Sequence, residues 1–208
     1  MAQQISLSLL LSLFVFCIMC TAVPTFASPA GARAYIEASC LTTRFPALCV
    51  QSLSSCFANS TIPSEEQLTK IALSVSLYKA RVTRAYMLKV TNELKAIKGS
   101  DYQTVNDCLD QINDSVDQLS RSIKELRRLD LESDGRNTFW LIGNVETWVS
   151  AAMTDASTCI DEFPVHSMSK LRATIKGKVL NVAQATSNAL ALFHRYAARY
   201  QAGASEKP

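Results

Sequence analysis

Apolar side chains recur at three- and four-residue intervals along most of the chain beyond residue 63, and polar breaks divide this rhythm into four long segments. The first, from about Ser64 to Lys98, carries Leu68, Ile71, Val75, Tyr78, Val82, Tyr86 and Val90 on one side. Ser64 and Gln67 have the spacing of a capping box behind Pro63, and Glu65 and Glu66 suit a first helical turn. Gly99, Ser100 and Asp101 end it. The second segment, Tyr102 to Leu129, aligns Val105, Cys108, Ile112, Val116, Leu119, Ile123 and Leu126. The third aligns Ile142, Val145, Val149, Ala152, Ala156, Cys159 and Phe163 before Pro164 stops it. The fourth, from about Ser169, aligns Leu171, Ile175, Val179, Val182, Thr186, Ala189, Phe193, Tyr196 and Tyr200. No segment alternates as a strand would.

Helices of roughly 25 to 35 residues are about 40 to 50 Å long. Each has one apolar stripe and the connections are short, which forces neighbours to run antiparallel. The pattern predicts an all-α protein with an up-down-up-down four-helix bundle over residues 64–203. Gly177 inside the fourth helix costs about 1 kcal/mol relative to Ala, a tolerable loss. Ahead of the bundle, two shorter helical pieces near Arg33–Cys40 and Pro46–Phe57 flank a break at Thr42, Thr43 and Arg44. They read as an N-terminal helical hairpin within residues 28–63.

Residues 1–27 contain no charged side chain, and Ile5 to Val23 is largely apolar. Pro24 precedes Thr25-Phe26-Ala27, where small residues suit a signal peptidase. A retained anchor is the rival, since the run approaches the roughly 20 residues that cross a bilayer. Serines interrupt it, however, and no Lys or Arg follows before Arg33. No Lys or Arg precedes it either. The expectation is a cleaved signal peptide over 1–27, a single secreted domain over 28–208 and no later membrane span. The formal net charge of +3 is mild, and no basic tract suits nucleic acid.

Cys17 and Cys20 leave with the leader, so Cys40, Cys49, Cys56, Cys108 and Cys159 remain. Cys108 lies 21 residues before Leu129, and Cys159 lies 21 residues after Thr138. If those two segments fold back on each other, both thiols reach the same height, and a disulfide there would staple antiparallel helices. Cys40 and Cys49 are nine residues apart across the hairpin break, a loop suited to a local staple. Both bonds need an oxidising compartment. Cys56 is expected as a buried small hydrophobe, with a thiol open to intermolecular pairing as the alternative.

The chain offers little for catalysis. His166 and His194 have no helical partner at zinc-site spacing, so no metal or cofactor is expected. No nucleophile elbow, P-loop or dinucleotide fingerprint is present, and nothing argues for an enzyme. One surface feature stands out. Asp110, Asp114 and Asp117 are spaced to share one face of the second helix, roughly opposite Ile112 and Val116. They read either as a solvated outer face near a helix amino end or as a recognition surface for a basic or hydroxyl-rich partner. Thr158 and Asp161 flank Cys159 and join that level of the bundle. Asn59-Ser60-Thr61 and Asn113-Asp114-Ser115 are glycosylation triplets, of which Asn59 lies in an expected loop. A glycan on Asn113 would crowd the acidic face.

Five segments in order resemble the plant invertase and pectin methylesterase inhibitor family. They are Cys40-Leu-Thr-Thr-Arg-Phe-Pro-Ala-Leu-Cys49 with Val50 to Leu53, Asp107-Cys108-Leu109 with Asp114-Ser115-Val116 and Leu119, Val145 to Ala152, Thr158-Cys159 with Asp161-Glu162-Phe163, and Ser187 to Leu192. The resemblance implies a four-helix bundle behind a helical hairpin, with disulfides joining the first two and the last two of four cysteines. It also implies a non-catalytic protein that blocks a secreted carbohydrate-active enzyme. In the pectin methylesterase branch it implies a bundle laid across the substrate cleft, excluding the pectin chain. The expectation is a monomer secreted to the apoplast. Asp110, Asp114, Asp117, Thr158 and Asp161 would fall near that contact. Invertase inhibitors tend to carry a Pro-Lys-Phe tripeptide that is absent here, and Thr147 to Ala152 is more typical of the pectin methylesterase branch. Inhibition of a cell-wall or vacuolar invertase is the runner-up.

Overall fold

The computed structural model describes residues 29–57, 62–131, 137–163 and 169–205. The expected signal peptide, residues 1–27, and Asn59 lie outside the described residues. Six α-helices follow one another among those that are described: α1 (Pro29–Cys40), α2 (Pro46–Ser54), α3 (Glu65–Ala96), α4 (Tyr102–Leu131), α5 (Thr138–Asp161) and α6 (Lys170–Ser205). A short 3-10 turn, Ser55–Phe57, extends α2.

Local chemistry sets the helix ends. The Gln67 amide donates to Ser64 Oγ at 3.1 Å and the Ser64 amide donates to Gln67 Oε1 at 3.0 Å, a complete capping box at the start of α3. At the other end Lys98 adopts φ 51° and the Gly99 amide donates to Leu94 O at 2.9 Å. A Cβ on Gly99 would come within 2.8 Å of Leu94 Cδ2, so any larger residue in this tight reversal into α4 would push the end of the Leu94 side chain aside.

α3 packs against α4 and α6, and α5 packs against the same two, so the four long helices close a ring of antiparallel neighbours. Its core holds Leu73, Met87, Ile112, Leu119, Val145, Val149, Ile175 and Phe193, all fully buried. The α1–α2 hairpin packs on α3 and α6 near the amino end of α3. Asn188 of α6 holds it there, accepting from the Phe45 amide at 3.0 Å and donating to Phe45 O at 2.9 Å. A polar cluster joins three helices at the same end. Lys70 pairs with Asp130 at 2.6 Å, and Asp130 also accepts from Tyr196, whose hydroxyl meets that of Tyr200 at 2.8 Å. Burial, then the bond to Tyr200, holds the Tyr196 hydroxyl well above the usual phenol range.

Two details depart from the sequence expectation. On α3 the buried positions are Leu68, Thr69, Ala72, Leu73, Ser76, Leu77, Ala80, Thr83, Met87, Val90 and Thr91, whereas Tyr78 is 68% and Val82 45% exposed. Small residues share the inner side of this helix with Leu73, Leu77 and Met87. Ser76 donates its hydroxyl to Ala72 O, and Thr69 donates to Glu65 O, so both pack like alkyl groups. The stripe drawn through Tyr78 and Val82 passes over these small residues and over Leu73, Leu77 and Met87, and is therefore rotated outward. Cys56, expected as buried, is a free and exposed thiol. The 3-10 turn that carries it points Phe57 inward and leaves Cys56 outside, with Sγ 3.6 Å from Ser52 O.

Candidate functional site

Covalent bonds fix the register of the helices that carry the acidic residues. Cys108 on α4 and Cys159 on α5 are disulfide-bonded with Cα atoms 4.6 Å apart, and both are fully buried. Cys40 and Cys49 are bonded across the hairpin with Cα atoms 5.6 Å apart. Seven residues beyond Cys108 on α4, Ser115 donates its hydroxyl to Ala152 O at 3.0 Å and repeats the same register without a covalent link.

With α4 and α5 locked in this way, Asp110, Asp114 and Asp117 stand exposed on α4, and Thr158 and Asp161 stand exposed on α5. The Thr158 hydroxyl donates to Thr154 O, leaving its lone pairs free to accept. Asp117 sits further along α4, away from the disulfide. Asn113 is half-buried beside this row.

Three further carboxylates join the face, and sequence reasoning passed over them: Asp107 on α4, Asp155 on α5 and Glu162 just past the end of α5. Burial, and then the nearby Asp114 charge, raises the proton affinity of Asp155. Glu162 is raised by burial and then by Asp107. Like charges thus oppose each other across the α4–α5 seam at two levels, Asp155 with Asp114 more than a turn from the disulfide and Glu162 with Asp107 beside it. Asp155 Oδ2 is buried with no hydrogen-bond partner among the described residues. The signal was present in the sequence, because Asp107 and Asp114 on one helix and Asp155 and Glu162 on the other repeat the same seven-residue step.

No cation interrupts this surface. From Tyr102 to Ser120 on α4, and along the whole of α5, there is no Lys or Arg. Among the described residues no group of three His, Cys, Asp or Glu side chains is arranged to hold a metal ion. The His194 ring and Glu146 meet at 3.1 Å as an exposed pair between α6 and α5, away from the acidic seam.

The geometry is that of a disulfide-clamped helical bundle with a charged face on α4 and α5. Residues 34–192 match the family model described as plant invertase/pectin methylesterase inhibitor. The chain is 39% identical over 164 residues to pectinesterase inhibitor 9 of Arabidopsis thaliana, covering 78% of this chain and 80% of that protein. It is 35% identical over 210 residues to pectinesterase inhibitor 11 of the same plant, covering 96% of this chain and all of that one. A crystal structure of a mutant form of a pectin methylesterase inhibitor from Arabidopsis superimposes with a TM-score of 0.56 at 19% identity, over 76% of this chain and 95% of that one, a likeness of fold. The chain belongs to the plant invertase/pectin methylesterase inhibitor family. That is a family of inhibitors, and the chain is not an enzyme.

Proposed function

We propose that the chain is a secreted inhibitor of pectin methylesterase, acting as a stoichiometric protein ligand that covers the enzyme's pectin-binding cleft and so limits de-esterification of cell-wall pectin. The observation that carries this reading is the near-full-length likeness to pectinesterase inhibitors 9 and 11. The contact surface is the α4–α5 face, with Asp110, Asp114, Asp117, Thr158 and Asp161 as the outermost polar groups. Its rigidity supports the assignment: the buried Cys108–Cys159 bond fixes the two helices before any partner arrives, so little ordering entropy is lost on docking.

Secretion of a monomer into the apoplast accords with the two disulfides and the uncharged apolar leader. Among the described residues no helix is long and apolar enough to cross a membrane. Asn59 and Asn113 are the candidate glycosylation positions.

The test is a titration of the protein, residues 28–208, against a pectin methylesterase and against an acid invertase. Loss of esterase activity near one molar equivalent is expected. Loss of invertase activity alone would transfer the chain to the other branch of its family. Asp114→Asn/Asp117→Asn is expected to weaken the esterase complex at least about tenfold, the scale of one or two charged hydrogen bonds, with unchanged helix content.

A further inference from the structure

Because the long helices form a closed ring, the α4–α5 seam has an opposite number, the seam between α3 and α6. The α1–α2 hairpin covers only part of it, seating Leu48 and Leu53 against Ala72, Val75 and Ala185. Beyond the hairpin the seam lies open as a groove of about 450 Å³, bounded by Tyr78 to Thr83 on α3 and Ala173 to Asn181 on α6. That volume is in the range of ligand-binding clefts. Gly177 lines it, and a Cβ there would stand in open space with nothing within 4 Å.

The groove has the opposite charge to the proposed enzyme-contact face. α3 has no carboxylate between Glu66 and Glu93, and α6 has none anywhere from Lys170 to Ser205. Lys79 Nζ donates to the neutral Asn181 side chain at 2.6 Å, and Lys178 Nζ lies 4.8 Å from the centroid of the Tyr86 ring. Neither ammonium has a carboxylate partner among the described residues, although Lys70, Arg172 and Arg195 on the same helices each have one. Burial lowers the proton affinity of Lys79, the state of a cation still lacking its anion. Tyr78 and Val82 stand exposed beside these cations as an apolar platform.

We propose that the open α3–α6 groove binds a de-esterified stretch of homogalacturonan, so that the inhibitor holds the polyuronate chain on one side while its acidic face meets the esterase on the other. The ligand class follows from the mixture of groups. Lys79 and Lys178 pair with uronate carboxylates, Asn181 and Thr174 meet ring hydroxyls, and the Tyr78 ring packs on the apolar face of a sugar. A phosphate backbone would leave Tyr78 and Val82 bare, and the mild net charge of +3 gives long polyphosphates little general attraction. The identity of the polyuronate rests on the proposed target, because hydrolysis of a pectin methyl ester releases methanol and leaves such carboxylates behind.

Isothermal titration of the protein, residues 28–208, with oligogalacturonate at physiological ionic strength tests the site. Fully methyl-esterified oligomer and inositol hexaphosphate serve as comparison ligands. Oligogalacturonate is expected to bind, the ester not to bind, and inositol hexaphosphate to bind at least about tenfold more weakly. Lys79→Gln/Lys178→Gln is expected to weaken oligogalacturonate at least about tenfold, since each lost charged contact is worth that much. Gly177→Glu, which adds a carboxylate where there is open space, is expected to do the same without loss of helix content. Both variants should inhibit pectin methylesterase as the parent does. Equal binding of oligogalacturonate by the parent and both variants, equal binding of the ester or of inositol hexaphosphate, or no binding at all would overturn the groove. If the parent binds oligogalacturonate through the groove but leaves the esterase active, the site stands and the inhibitor reading falls.

Discussion

Asp155 shows how a single side chain ties stability to the acidic face. Its carboxyl holds its proton more firmly in the native state than in the unfolded chain, through burial first and the Asp114 charge second. The native state therefore binds more protons, and stability falls as pH rises from the unfolded value of 3.8 through the raised native one. Above that window the penalty is constant. Asp155→Asn removes it, so the variant is expected to melt above the parent at pH 7 and level with it at pH 3. The gain is at most about 1 kcal/mol, because the carboxyl is still partly hydrated. Thermal melts followed by circular dichroism at the two pH values read this directly, and a gain that was the same at both would refute the like-charge account. Tyr196 makes the complementary case. Its hydroxyl bonds Asp130 and Tyr200 at the other end of the bundle, and Tyr196→Phe is expected to lower unfolding free energy by about 1 kcal/mol in urea.

At the scale of the helix, α3 marks the limit of what periodicity can read. Three of the four long stripes were legible because branched and aromatic residues dominate their inner sides: Val105 to Leu126, Ile142 to Phe163 and Ile175 to Tyr196 are buried or nearly so. On α3 the inner side mixes Leu73, Leu77 and Met87 with Ala72, Ser76, Ala80 and Thr83, and the exposed Tyr78 and Val82 draw the apolar stripe outward. The physical reason is close approach, since small side chains let this helix sit near its neighbours. Ala80→Leu is thus expected to destabilise the bundle by about 1 to 3 kcal/mol through overpacking, while Tyr78→Ala changes stability by less than about 0.5 kcal/mol. Urea midpoints of the two variants decide between the stripes, and the reverse order would restore the outer one. The acidic site was legible in the same partial way. Asp110, Asp114 and Asp117 announce themselves by spacing on one helix, but Asp155 and Glu162 matter only once antiparallel register brings them opposite Asp114 and Asp107. The open groove was not legible, because nothing in the local pattern shows where the hairpin stops covering the α3–α6 seam.

For the molecule as a whole, the arrangement of charge depends on the bundle keeping one register. Acids collect on α4 and α5, and cations without partners collect on α3 and α6, so the two faces are separated by the width of the core. A slide of α5 along α4 would pull Asp155 away from Asp114 and scatter the acidic face, even if apolar burial survived. Two devices oppose such a slide: the Ser115 bond to Ala152 O, and the Cys108–Cys159 bond, which closes a separation of 51 residues. Loop entropy assigns the longer closure about 4 kcal/mol and the nine-residue closure of Cys40–Cys49 about 2.5 kcal/mol. Against a typical domain stability of about 5 to 15 kcal/mol, loss of the first is the graver change. Cys108→Ala/Cys159→Ala is expected to lower the urea midpoint more than Cys40→Ala/Cys49→Ala. It is also expected to weaken esterase inhibition under conditions where the variant is still fully helical, because the acidic face then has two helices free to shift. The hairpin variant keeps its α4–α5 face and should inhibit as the parent does. Equal inhibition by both variants under folding conditions would mean that packing alone holds the register, and that the buried disulfide serves stability without positioning the face.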